Sequence, residues 1–158
     1  VPSVPKHIPL LQQIAKECGV VNQVQIISGQ SHTALEACDV TLITSGTATL
    51  EAALYKRPMF IGYALNWLSY EIMKRKKLQP WVGLPNILSG KFVVPELIQD
   101  AATPEALAAA TLAWFDAPEK VADLERQFTT LHTQLLRNTS ELAADAIAQV
   151  LNKTSKAS

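Results

Sequence analysis

Apolar positions along this chain recur with two different periods, and the two alternate. Between residues 7 and 18, Ile8, Leu11, Ile14, Ala15 and Cys18 stand three or four apart, which predicts a helix closed by Gly19. Residues 24–27, Val-Gln-Ile-Ile, form a compact run that reads as a strand ended by Ser28 and Gly29. Residues 31–37 predict a short helix with Ser31 as N-cap. Residues 40–43, Val-Thr-Leu-Ile, predict a second strand, apolar enough to be covered on both faces. Ser45-Gly46-Thr47 then turns into a helix through Tyr55, and residues 58–61 give a third strand. An extended segment, residues 1–5, leads in. Such alternation predicts a parallel α/β sheet with right-handed crossovers, so the loops that follow the strands share one edge. Ligands of open α/β sheets bind at that edge.

Beyond residue 65 the helical period dominates. Residues 66–77 predict a helix carrying Trp67, Tyr70 and Met73, with Lys-Arg-Lys-Lys at its end and Pro80 as its stop. Residues 81–84 read as a short strand and Pro85-Asn86 as a turn. Thr103 caps a helix opened by Pro104 and reaching Phe115. Pro118 opens another, on which Val121, Leu124, Phe128, Leu131 and Leu135 make a nearly continuous apolar stripe. A last helix spans residues 140–151, and residues 152–158 predict a frayed polar tail. The chain has no internal repeat.

With 158 residues, 48% of them hydrophobic, the chain has material for one buried core and is too short for two comfortable domains. The apolar runs fall far short of the ~20 residues that span a bilayer, and no basic-then-apolar leader opens the sequence. Cys18 and Cys38 lack metal-site spacing, so a reducing compartment is expected. Net charge is zero but unevenly spread. Residues 51–91 hold seven basic side chains against two acidic ones, and residues 92–145 hold nine acidic against three basic. One side of the molecule should therefore favour anions. No helix-turn-helix or RNA-binding signature accompanies the basic segment, which points away from nucleic acid and towards a phosphorylated or membrane-bound partner.

Residues 40–51 carry the most chemistry. A buried strand runs into small residues and a helix starts at once, so unpaired N–H groups and the helix dipole create an anion site. Gly46 lets a phosphate come close to the backbone, and Ser45 and Thr47 add hydroxyl donors. No lysine follows, so this is not an ATP-type loop. Thr47 and Glu51, four apart on one face, suit a diphosphate and the hydroxyls of a ribose. From the local pattern alone, Ser45-Gly46-Thr47 reads also as an ordinary helix start and Glu51 as an ordinary exposed residue. His7, His32 and His132 are scattered and read as structural or exposed.

Thr44-Ser-Gly-Thr-Ala-Thr-Leu-Glu-Ala-Ala-Leu54, Arg57-Pro-Met59, Gly83-Leu-Pro-Asn-Ile-Leu88, Val94-Pro-Glu-Leu-Ile-Gln99 and Asp100-Ala-Ala-Thr-Pro-Glu105 resemble, in order and spacing, the lipid-A-disaccharide synthases. Gly29-Gln-Ser31 followed by Ala34-Leu35 fits the same family. The resemblance covers residues 1–151 and implies a Rossmann-like, three-layer α/β domain. That domain would be the C-terminal, donor-binding half of a GT-B glycosyltransferase, ending in several helices. It implies an inverting transfer from UDP-2,3-diacylglucosamine to 2,3-diacylglucosamine 1-phosphate that releases UDP and uses no obligate metal or other cofactor. The general base and the acceptor site would belong to an N-terminal domain absent from this chain. Homodimers and a cytoplasmic location, peripheral at the inner membrane, are implied as well.

Carried over residue by residue, the resemblance assigns Ser45, Gly46, Thr47, Thr49 and Glu51 to the UDP moiety and Asn86 to the transition state or the donor. Glu96 and Gln99 are read either as ribose or base contacts or as ordinary surface-helix residues. Ala64 replaces the basic residue that usually follows the tyrosine matching Tyr63, which leaves its phosphate contact to Lys74 or Lys77. Residues 67–81 are either an aromatic and basic element for an anionic bilayer or a helix with a core-facing aromatic side. The alternatives to this function are the donor domain of another GT-B enzyme, such as a peptidoglycan GlcNAc transferase or a UDP-GlcNAc epimerase, and a non-catalytic nucleotide-sugar-binding module.

Overall fold

The computed structural model describes residues 1–44, 46–76 and 80–155. In chain order its elements begin with β1 (Pro2–Ser3), α1 (Ile8–Glu17), β2 (Ile27–Ser28), α2 (Ser31–Ala37), β3 (Thr41–Ile43) and α3 (Thr47–Leu54). They continue with β4 (Met59–Tyr63), α4 (Trp67–Lys76), α5 (Leu84–Ser89), β5 (Glu96–Ile98), α6 (Pro104–Phe115), α7 (Pro118–Leu135) and α8 (Thr139–Ser155). Helix positions follow the apolar period closely. Thr103 caps α6 by accepting from the Ala106 N–H at 3.2 Å, and Pro118 opens α7 at a position where no N–H is needed.

Several local expectations change. The strand expected over 24–27 is the pair Ile27–Ser28, bonded to β1. The N-cap of α2 is Gln30, and Ser31 lies inside the helix. Residues 81–84 form no strand, and Pro85-Asn86 lies within α5. Proline is tolerated in that first turn because its missing N–H would have no helical partner. Gly90, at φ 64°, closes the helix in the left-handed conformation that glycine adopts without penalty. The polar tail is helical as far as Ser155.

Every described strand pairing is parallel, in two open sheets: β1–β2, and β3–β4–β5 with β4 in the centre. Gly62 belongs to the face of β4 that receives α6, since a Cβ there would meet Leu107 at 2.9 Å and Leu42 at 3.0 Å. On the opposite face a Cβ at Gly83, just before α5, would strike Ile61 at 2.2 Å. Only glycine allows α5 to start this close to the sheet. α3 packs beside α5, with Ala52 and Ala53 buried where larger side chains would push the helix outward. Helices thus flank the three-stranded sheet on both sides, giving a mostly helical, Rossmann-like α/β arrangement. Met59, Phe60, Ile61 and Val94 make its centre, joined by Leu35, Trp114, Leu124 and Phe128.

The α7 stripe buries Leu124, Phe128 and Leu131 against α3, α5 and α6. Each such side chain contributes about 1.5–3 kcal/mol, so these three are core, while Leu135 at the end of the stripe is exposed. β3 behaves differently from expectation. Leu42 is 54% exposed, because β3 is an edge strand of its sheet and not one covered on both faces.

Candidate functional site

Because β3, β4 and β5 are parallel, the segments after them emerge at one edge, and Gly46, Thr47 and Gln99 stand on those segments. After β3 the chain turns through Gly46, whose φ 88° and ψ −160° belong to a region open to glycine alone. Gly46 is the N-cap of α3. Its carbonyl accepts from the Thr49 N–H at 3.1 Å and from Thr49 Oγ1 at 2.7 Å. Thr49 is fully buried, so its hydroxyl fastens the first turn instead of facing a ligand. Thr47 is exposed and Glu51 half-buried. The N–H groups of Thr47 and Ala48 precede the first helical bond, and no acidic side chain occupies that turn. This combination suits an anion. Ser45 lies outside the described residues.

Asn86 occupies a different place from the one expected. It is fully buried. Its Nδ2 donates to the Val94 carbonyl at 2.9 Å and to Glu96 Oε1 at 2.8 Å. Its Oδ1 accepts from the Val93 and Val94 N–H groups at 2.7 and 2.9 Å. Both donors and both lone pairs are committed, so in this arrangement the amide has nothing left for a substrate. Glu96 is engaged as well. Oε1 accepts from the Gly83 N–H at 2.9 Å, and Oε2 from the Val82 N–H at 3.0 Å. The carboxylate thus covers the otherwise unpaired N–H groups ahead of α5.

Gln99 forms the third fixture. Its Oε1 accepts from the Leu65 N–H and its Nε2 donates to the Leu65 carbonyl at 3.1 Å. The residue holds φ 55°, uncommon outside glycine, and the two-point clasp on Leu65 accompanies that conformation. Neither surface-helix reading fits: Glu96 lies in β5 and Gln99 opens the single turn Gln99–Ala101. Sequence reasoning recognised these positions but missed β5. Three residues between Pro95 and Gln99 give too short a run for a periodic signal.

Gln99 thus holds the loop after β4 at the end of β5, while Asn86 and Glu96 hold the start of α5 to the beginning of β5 and the chain entering it. The anion-favouring turn at Gly46 stands at the neighbouring strand end. Ala64 and Lys74 are both exposed, and Lys77 lies outside the described residues. His32 Nδ1 lies 3.2 Å from the Tyr55 hydroxyl, and His132 Nδ1 lies 3.4 Å from Lys56 Nζ, which gives both rings structural partners. Cys18 and Cys38 are free thiols.

A family model described as lipid-A-disaccharide synthetase matches residues 1–149. A lipid-A-disaccharide synthase of Albidiferax ferrireducens is 61% identical over 155 residues, covering 96% of this chain and 40% of that protein. The corresponding protein of Verminephrobacter eiseniae is 59% identical over 155 residues, covering 94% of this chain and 40% of its own length. That of Neisseria meningitidis serogroup B is 52% identical over 124 residues, with 78% and 32% covered. The chain therefore spans about 40% of the length of the first two relatives.

Proposed function

This chain belongs to the lipid-A-disaccharide synthetase family, a family of glycosyltransferases, and on that premise we propose that it is the nucleotide-sugar-binding part of such an enzyme. The observation that carries this reading is the glycine-capped start of α3 at the carboxyl edge of the parallel sheet. There the unpaired Thr47 and Ala48 N–H groups and the Thr47 hydroxyl accept the diphosphate of a UDP-sugar, and Glu51 accepts from ribose hydroxyls. As UDP departs, negative charge grows on the diphosphate. Fixed backbone dipoles stabilise that charge without reorganising. Gln99 acts as a positioning residue for the loop that leaves β4 at the same edge, and Asn86 and Glu96 position α5 beside the sheet.

In this proposal the donor is UDP-2,3-diacylglucosamine, the acceptor is 2,3-diacylglucosamine 1-phosphate, and the transfer inverts the anomeric centre. No metal is required, and the general base comes from polypeptide outside this chain. Titration calorimetry with UDP, with and without EDTA, tests the reading. Binding of equal strength in both is the expected result, and strict dependence on magnesium would overturn it.

One observation favours a membrane contact in addition. On α4, Trp67 is 71% exposed, Leu68 and Ile72 are exposed too, and Lys74 and Arg75 stand beside them. Apolar side chains next to cations match an element resting in an anionic interface. Among the described residues no helix is long and apolar enough to cross a membrane. We place the protein peripherally, at the cytoplasmic face that would present its lipid substrates.

A further inference from the structure

Arg57-Pro58-Met59 plays no part at the donor edge. Arg57 follows α3 and precedes β4, so it lies where the strands begin, at the end of the sheet opposite to Gly46. There a pocket of about 460 Å³ opens between the chain entering β3, the end of α3 and the junction of α6 with α7. Its lining includes Lys56 and Arg57, Trp114 and Phe115, and Asp39 and Glu125. Arg57 Nη2 donates to the Glu36 carbonyl in the last turn of α2, a usual place for a cation. Arg57 Nε is buried and meets no acceptor. Lys56 Nζ donates to the Leu54 carbonyl at 3.3 Å and stands 3.4 Å from His132 Nδ1. Neither cation has a carboxylate within ion-pair distance, since the one salt bridge among the described residues joins Arg126 to Asp123. A buried donor without a partner, beside two cations without a counter-charge, is uncommon in a folded protein.

The chemistry of the lining specifies the occupant. Arg57 presents a planar fork that suits a carboxylate. Phe115, which is 58% exposed, and the buried Trp114 line the same pocket and offer ring surface to an apolar body. Asp39 and Glu125 are exposed beside it, and they repel a doubly charged phosphate more than a singly charged carboxylate. We propose that this pocket is a second ligand site for a small aromatic monocarboxylate, with its carboxylate on Arg57 and Lys56 and its ring on Trp114 and Phe115. The carboxylate accepts from Arg57 Nε after a small turn of the guanidinium, while Nη2 keeps the Glu36 carbonyl. α3, about 12 Å long, separates this pocket from the turn proposed to hold the diphosphate, so both sites can be filled together. The inference does not rest on the donor site and stands whether or not UDP binds.

Saturation-transfer NMR with benzoate decides it, on a polypeptide extended to the length of the relatives, in the absence and presence of UDP. Benzoate should bind with a dissociation constant below about 1 mM, and acetate, which lacks the ring, and inorganic phosphate at least about ten-fold more weakly. Arg57→Gln and Arg57→Lys should each weaken benzoate at least about ten-fold, because neither side chain presents the guanidinium fork. Phe115→Glu changes an exposed ring and leaves the core untouched. It should weaken benzoate as much, and it keeps the test decisive if loss of the Arg57 bond to Glu36 unfolds the chain. UDP should not displace benzoate from the parent. The proposal fails if benzoate does not bind below about 1 mM, if UDP displaces it, or if phosphate binds as tightly. It fails equally if the folded variants bind like the parent. Binding to the present chain but not to the extended one would also overturn it, because the relatives' additional polypeptide then fills the pocket.

Discussion

Asn86 illustrates how one buried side chain joins two segments of a fold. Its amide links the start of α5 to the chain entering β5 through four hydrogen bonds. Asn86→Ala leaves two N–H groups, a carbonyl and a carboxylate oxygen short of a partner inside the protein. At roughly 1–3 kcal/mol for a buried group left unsatisfied, partly relieved by relaxation, a loss of about 2–4 kcal/mol is expected. Urea unfolding measures it. UDP affinity of the folded fraction should stay within about two-fold, and a large loss of affinity with unchanged stability would return Asn86 to direct contact. The sequence marked this position but not its role. A turn asparagine facing a ligand and a buried clamp look alike when the partners, Val93, Val94 and Glu96, stand 7 to 10 residues away.

Gly46 is the opposite case, since its role is readable from its neighbours. A small residue between an apolar strand and a helix has few structural uses, and the structure gives it a backbone conformation closed to other residues. A Cβ added there meets nothing within 4 Å, so the penalty of Gly46→Ala is backbone strain, on the order of 1–3 kcal/mol. The substituted turn relieves that strain by moving the Thr47 and Ala48 N–H groups. The expected result is a UDP affinity at least about ten-fold weaker with the fold intact, read by calorimetry beside circular dichroism. Unchanged affinity would show that the diphosphate lies elsewhere.

At the scale of elements, legibility follows length and partnership. α6 and α7 are plain in the sequence because caps, prolines and a long apolar stripe agree with one another. β5 and the true extent of β2 were hidden, for runs of two or three residues carry no period and are defined by their neighbours in space. α4 shows a third situation, in which composition suggested two roles and burial favours one. With Trp67, Leu68 and Ile72 exposed beside Lys74 and Arg75, the double variant Leu68→Glu, Ile72→Glu should release the protein from vesicles containing 30% phosphatidylglycerol. Its UDP affinity should be unaffected, because Gln99 holds Leu65 and so fixes the start of the α4 segment independently of those side chains. Cosedimentation is the measurement, and undiminished binding of the variant would assign membrane contact to another surface.

At the scale of the molecule, the arrangement separates holding a donor from completing a transfer. An inverting transfer needs a base about 3 Å from the acceptor hydroxyl while the donor is fixed on the far side of the anomeric carbon. In the proposed reading, the edge at the start of α3 supplies the holding part. Its carboxylates are poorly suited to the rest: Glu96 is committed to the Val82 and Gly83 N–H groups and to Asn86, and Glu51 is on the helix proposed to receive the nucleotide itself. A carboxylate beside the leaving diphosphate would raise the energy of the transition state instead of lowering it, unless it faced the ribose. Most of the remaining acidic residues follow Thr103, where α6 and α7 pack on the core and α8 is exposed over residues 139–151. The expectation is therefore that this chain, incubated with UDP-diacylglucosamine and radiolabelled diacylglucosamine 1-phosphate, forms no disaccharide above a no-protein control, while an extended polypeptide of the relatives' length does. Product from the present chain alone would locate the base among its own carboxylates, and Glu51 and Asp100, nearest the strand ends, would be the first to substitute.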